Sequence, residues 1–187
     1  MKQVTRYHPL LVALHWLLAF LLIAALFAGF FLLEQMPNSD PQKIRVLLVH
    51  MVIGMGILAL MVVRFVIRML TSHPEPATTG YVFLDRLAPV THYGFYVLVV
   101  LMVATGYATA ILAGLNRIVF QHSGEPLPES FTAYPTFIAH GFIAFVLAGF
   151  VVLHVLAALY HQFVRRDRLF RRIWFGRRAT KPAAPAQ

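Results

Sequence analysis

The stretch SFTAYPTFIAHGFIAFVLAGFVVLHVLAALYHQFV, Ser130–Val164, runs for 35 residues without an Asp, Glu, Lys or Arg. A membrane-spanning helix needs roughly 20 mainly apolar residues, so this segment is long enough to cross a bilayer. Pro135 lies at its start, where the N–H that proline lacks has no helical partner to lose. The same stretch carries His140, His154 and His161. His140 and His154 are 14 residues apart, which at about 3.6 residues per turn and 1.5 Å rise puts them on nearly one face, about 21 Å apart along the axis. His161 falls on that face about 10 Å further on. Ionisable side chains inside a bilayer are costly and need partners, so the question becomes what these histidines meet.

Three more stretches lack charge: Tyr7–Leu33 (27 residues), Val46–Val63 (18) and Leu87–Asn116 (30). The reading is an all-α integral membrane four-helix bundle, one domain over 1–187, with helices near 9–33, 44–68, 88–113 and 136–164. Pro41, Pro89 and Pro135 are read at or near helix starts. The connections are a short polar turn at Met36–Gln42, a loop at Thr71–Gly80 and a longer one at Gln121–Pro135. A basic tail covers 165–187, and its Ala/Pro end, Thr180–Gln187, is expected to be disordered. Composition agrees: 59% of residues are hydrophobic and 12% charged, against roughly 25% charged in a soluble domain. The first segment is too long for a signal-peptide core and is read as a retained signal anchor. With no cysteine, disulfides, iron–sulfur clusters, thiolate metal sites and c-type haem attachment are excluded.

Lysine and arginine set the orientation. Lys2, Arg6, Arg64, Arg68, Arg86, Arg165, Arg166, Arg168, Arg171, Arg172, Arg177, Arg178 and Lys181 fall on one side, and Lys43, Arg45 and Arg117 on the other, 13 against 3. The basic side is expected in the cytoplasm, with both termini. The Arg165–Arg178 run reads as an anchor on anionic lipid headgroups. It is short and tethered to a membrane helix, so no nucleic-acid partner is expected.

Of nine histidines, His8, His73 and His122 lie in terminal or loop segments and read as ordinary solvated residues. His15, His50, His92, His140 and His154 lie within apolar helices. Depth pairs His50 with His140 near the outer side and His15 with His154 near the inner side. Two facing histidines can supply both axial ligands of a b-type haem; the alternative for a histidine pair is zinc or copper, but zinc wants more ligands and no carboxylate or thiol sits at these depths. Two haem b groups are therefore expected. Gly54, four residues after His50, and Gly56 and Gly141 are candidates for letting a flat macrocycle approach a helix; plain small-residue packing is the alternative. Arg64 and Arg68 suit haem propionates or topological anchoring. His92 is open to ligation, a propionate or a quinone. His161 suits a quinone headgroup beyond the inner haem, or an interfacial histidine reaching the headgroups.

These residues resemble the bacterial cytochrome b561 family, which shares its fold with the cytochrome b subunits of nickel–iron hydrogenases. The matching pieces are Leu14-His15-Trp16, Val49-His50 with Gly54, Met61-Val62-Val63-Arg64, His92, His140, His154 and His161-Gln162-Phe163 leading to Asp167, Leu169 and Arg171. The resemblance spans roughly residues 5–175. Where the family often carries a histidine pair, this chain has His161-Gln162. The resemblance implies a two-haem bundle in the bacterial inner membrane with His15, His50, His140 and His154 as ligands. It also implies electron transfer between a periplasmic donor, superoxide in the best-defined case, and ubiquinone. Against superoxide stands the outer charge: Lys43, Arg45 and Arg117 against Glu34, Asp40, Glu125 and Glu129, a net of −1, where a positive surface would steer an anion. A local funnel of the three bases is the way superoxide would be served. The other readings are a quinol-linked relay for a partner dehydrogenase or reductase, and a haem-free scaffold. No catalytic residue is assigned beyond these ligands.

Overall fold

The computed structural model describes residues 3–75, 81–167, 169–176 and 180–181. Lys2, Arg168, Arg177, Arg178, the Pro76–Gly80 part of the second loop and the 182–187 tail lie outside the described residues.

Among the described residues, four long helices build the bundle: α1 (Pro9–Phe27), α2 (Pro41–Leu70), α3 (Val82–Leu112) and α4 (Pro135–Leu159). A wider π turn extends α1 over Ala28–Leu33 and α4 over Tyr160–Arg165. Each start has a local cause. The His8 ring accepts from Leu10 N at 3.3 Å ahead of Pro9, so His8 is a helix cap and not merely a solvated residue. The Asp40 carboxylate accepts from Gln42 N at 2.8 Å ahead of Pro41, satisfying one of the orphan donors of a helix start. α2 accordingly begins three residues before the expected 44.

α3 departs further from expectation. It begins at Val82 and not near 88, and Pro89 lies inside it. The ring deletes one rung of the backbone ladder, and the helix runs through because its remaining hydrogen bonds and its packing on α4 hold it. Gly114, at φ 66°, closes the other end of α3; a left-handed residue just past a helix is where glycine is favoured.

All four are long and apolar enough to cross a membrane. Their outward faces are apolar too: Phe20, Phe142 and Phe145 are 69%, 69% and 73% exposed. A helix apolar all round needs lipid or protein on every side. α3 packs most extensively on α4, α1 on α2, and α2 on α3. Close backbone approach of α4 to α1 or α2 is slight among the described residues, so a gap runs between α4 and the α1–α2 pair. One buried cluster around Ala110, Leu115, Val119 and Phe131 closes the loop end, and another around Leu18, Ile57 and Val99 fills the middle.

At the end holding both termini, β1 (Gln3–Val4) pairs antiparallel with β2 (Thr180–Lys181). Those first two residues of the expected disordered tail are therefore paired. Residues 172–175 lie across the bundle end. Tyr7 N donates to Arg172 O at 3.1 Å, Trp16 Nε1 to Ile173 O at 2.9 Å, and Arg6 Nη1 to Phe175 O at 3.0 Å.

Candidate functional site

The gap between α4 and its neighbours is bridged by histidines at two levels. Near the loop end, His50 of α2 and His140 of α4 have ring centres 6.3 Å apart. Near the end with the termini, His15 of α1 and His154 of α4 are 6.2 Å apart. Two imidazoles binding one metal ion from opposite sides stand about 6 Å apart, from two metal–nitrogen bonds of about 2 Å and the width of each ring. Both pairs have that spacing.

The loop-end pair stands in a cavity of about 810 Å³ walled by Leu22, Leu47, Ile57, Val99, Met102 and Leu147. Its size lies in the upper part of the roughly 300–1,000 Å³ range of sites that engulf a small organic ligand. His140 Nδ1 lies 3.0 Å from the Met102 carbonyl and 3.3 Å from Thr105 Oγ1. A carbonyl only accepts, so Nδ1 carries the proton and Nε2 is left as the ligating nitrogen, the usual outer-sphere support of a metal-binding histidine. His50 Nδ1 is buried without a hydrogen-bond partner among the described residues. Gly29, Gly54, Gly106 and Gly141 also line this space. A Cβ built on Gly54 or Gly141 would meet nothing within 4 Å, while one on Gly106 would stand 2.9 Å from His140 Cε1. The site thus has facing nitrogen donors, apolar walls and open room beside glycine, which fits a planar haem.

Gly54 and Gly141 were legible from sequence. Gly106, Gly29 and the Met102 carbonyl were not, because their role depends on which helix faces which. Gly56 does not line the cavity.

The mouth of the cavity holds Lys43, 6% exposed. Its Nζ donates to Met36 O at 2.6 Å and lies 5.8 Å from the Phe131 ring centre. Glu34 and Glu129 line the same mouth. Arg117 pairs with Glu125 at 3.2 Å on the surface. Of the three bases of a possible funnel, two are thus engaged, and Arg45 is exposed.

At the opposite end His92 of α3 stands 5.7 Å from His154, so His15 and His92 both face the same partner ring. Phe95 packs on His154 at 5.5 Å. Arg64 donates to Tyr96 OH at 2.6 Å, and its charge is within electrostatic reach of His15, His92 and His154. Further along α4, His161 Nδ1 and Asp167 Oδ2 are 2.5 Å apart. Asp167 is a contact that spacing did not suggest.

Four bilayer-length helices with facing histidines inside define the class of membrane-embedded b-type electron-transfer proteins. The chain belongs to the prokaryotic cytochrome b561 family, whose model matches residues 6–176. It is similar to a probable superoxide oxidase CybB of Yersinia pestis, 27% identical over 176 residues, which are 90% of this chain and 95% of that protein. Membership carries b-type haem binding and a place in a bacterial membrane.

Proposed function

We propose that this protein is a two-haem b cytochrome that oxidises superoxide on the loop side of the inner membrane and reduces ubiquinone near the end holding the termini. The observation that carries this is the pair of histidine couples, 6.3 and 6.2 Å between ring centres, at two levels of one bundle. His50 and His140 would hold one haem, and His15 and His154 the other. When bound, haem supplies reversible one-electron chemistry at iron.

The protein's own residues do the rest. Met102 fixes the His140 ring. Gly54 keeps α2 clear for the macrocycle, and Gly106 leaves room for the His140 ring. Arg64, held by Tyr96, offers a positive charge for propionates at the inner level. Placement of the termini in the cytoplasm follows from the basic residues gathered there. His161 and His92 are the histidines within reach of a quinone at that end. The sum is two superoxide plus ubiquinone plus two protons giving two dioxygen plus ubiquinol; each superoxide surrenders one electron, and the protons enter from the cytoplasmic side.

The test is stopped-flow mixing of the oxidised, purified protein with superoxide, followed by haem absorbance. Reduction within the mixing experiment supports the reading. The engaged state of Lys43 and Arg117 favours a second reading, a relay for a partner dehydrogenase. Haems that stay oxidised with superoxide and are reduced by quinol would establish it.

A further inference from the structure

α4 ends in a way that builds a two-residue device. Its last turn widens to a π turn over Tyr160–Arg165. Arg166 then takes a left-handed conformation, φ 56° and ψ 29°, a cost for a residue with a side chain. That reversal sends the chain back on the helix end, where Asp167 N reaches His161 O at 3.4 Å. The Asp167 carboxylate is held from both sides. Its Oδ1 accepts from Leu169 N at 3.2 Å, and its Oδ2 meets His161 Nδ1 at 2.5 Å. The two side chains are 15% and 26% exposed. The side-chain hydrogen bond that His161 makes runs through Nδ1, on the other side of the ring from Nε2.

We propose that Asp167 is a positioning residue for proton delivery to ubiquinone, holding His161 through Nδ1 so that Nε2 is the nitrogen that meets the quinone oxygen. This rests on the quinone reading above. A carboxylate accepts and does not donate when ionised, so the bond keeps a proton on Nδ1 and supports the imidazolium, protonated on both nitrogens, as an acid behind a catalytic histidine does. Ubiquinone takes two electrons and two protons to become ubiquinol. The electrons come from the two donor molecules; one proton passes from Nε2 of the His161 imidazolium to a quinone oxygen, leaving the neutral ring protonated on Nδ1, and the second proton comes from the cytoplasmic solvent. Nδ1 keeps its proton on Asp167 throughout, and water restores the proton at Nε2. A histidine that only tied down the helix end would need the same contact but would not couple it to quinone chemistry.

The experiment uses the full-length protein with haem bound, reduced with dithionite, freed of excess reductant and mixed with ubiquinone-1. Asp167→Asn is expected to lower the limiting reoxidation rate roughly tenfold or more, a part of the roughly 10²- to 10⁴-fold that a positioned acid–base group contributes, with a half-saturating quinone concentration within about threefold of the parent. Asp167→Glu is expected to recover most of the rate. Unchanged limiting rates in Asp167→Asn, with a slow His161→Ala, overturn the proposal and leave the quinone site standing. Unchanged rates in both variants overturn the quinone site itself. Nitrogen NMR of ¹⁵N-histidine-labelled parent protein needs no variant to fold. A proton on His161 Nδ1, with the Nε2 signal moving when ubiquinone-1 is added, supports the assignment; an unprotonated Nδ1 overturns it.

Discussion

Gly106→Ala is the sharpest perturbation of the loop-end site. The added Cβ would stand 2.9 Å from His140 Cε1 and 3.1 Å from Nδ1. Carbon atoms settle at about 3.5 Å or more, so the ring must retreat by about 0.6 Å. It is not free to do so. Its Nδ1 is bonded to Met102 O at 3.0 Å, on the same helix as Gly106, and moving away by that much stretches the bond past the limit of about 3.2 Å for a normal N–H···O contact. Metal–ligand distances tolerate about 0.2 Å, so a 0.6 Å displacement is expected to weaken haem binding by about 10- to 100-fold, as loss of outer-sphere support does. The assay is pyridine haemochrome analysis of purified protein, with reduced-minus-oxidised spectra. Two haems are expected per parent chain and about one for the variant. Gly54→Ala is the companion, since its Cβ meets no protein atom within 4 Å. It should leave the apoprotein's stability unchanged while lowering haem retention. Two haems with parental spectra in Gly106→Ala would refute the placement of His140 as a ligand.

Replacing His50 or His140 by Ala should remove one haem, and replacing His15 or His154 the other; His92→Ala removing the inner haem while His15→Ala does not would exchange the roles of the two rings facing His154. Alkaline phosphatase fused at Gly124 should be active and a fluorescent reporter after Gln187 should light in the cytoplasm; phosphatase activity at the C-terminus would invert the orientation. Arg45→Gln should slow reduction by superoxide a few-fold at low salt, with the difference vanishing at about 1 M salt, where the screening length falls to about 3 Å. Salt-independent rates equal to the parent's would remove Arg45 from any steering role.

Charge-free length made the four spans legible, because lipid demands it of every crossing segment. The pairing of histidines at two levels was legible because a helix is a ruler: 14 residues separate His140 from His154, and the direction of each helix says which partner each one meets. The other contacts across helices were less legible. Pro89 looked like a helix start because proline usually marks one, yet α3 opens at Val82 and absorbs it. Gly106 resembles any glycine in a small-residue helix until His140 is placed against it. Asp167 lies beyond the apolar run, and only the left-handed turn at Arg166 brings it to His161. Summed outer charge was correct as arithmetic, but it did not show that Lys43 is buried in the cavity mouth or that Arg117 is neutralised by Glu125.

The helix that lacks a clear ligand does much of the positioning. α3 gives His140 its backbone acceptor at Met102, its hydroxyl neighbour at Thr105 and its clearance at Gly106. Twelve residues earlier Gly94 gives clearance to Phe150, whose ring a Cβ there would meet at 2.6 Å. Phe150 packs on Phe95 at 5.9 Å, and Phe95 on His154 at 5.5 Å. Thr109 and Thr136 join the same two helices by a 2.8 Å hydrogen bond. α4 therefore carries one histidine of each pair, and α3 holds both of them from behind. α1 and α2 each contribute one facing histidine across the gap that remains. A displacement of α1 or α2 disturbs one level, whereas a displacement of α4 along α3 disturbs both. The extensive α3–α4 packing is the mechanical reason the two levels keep a common register.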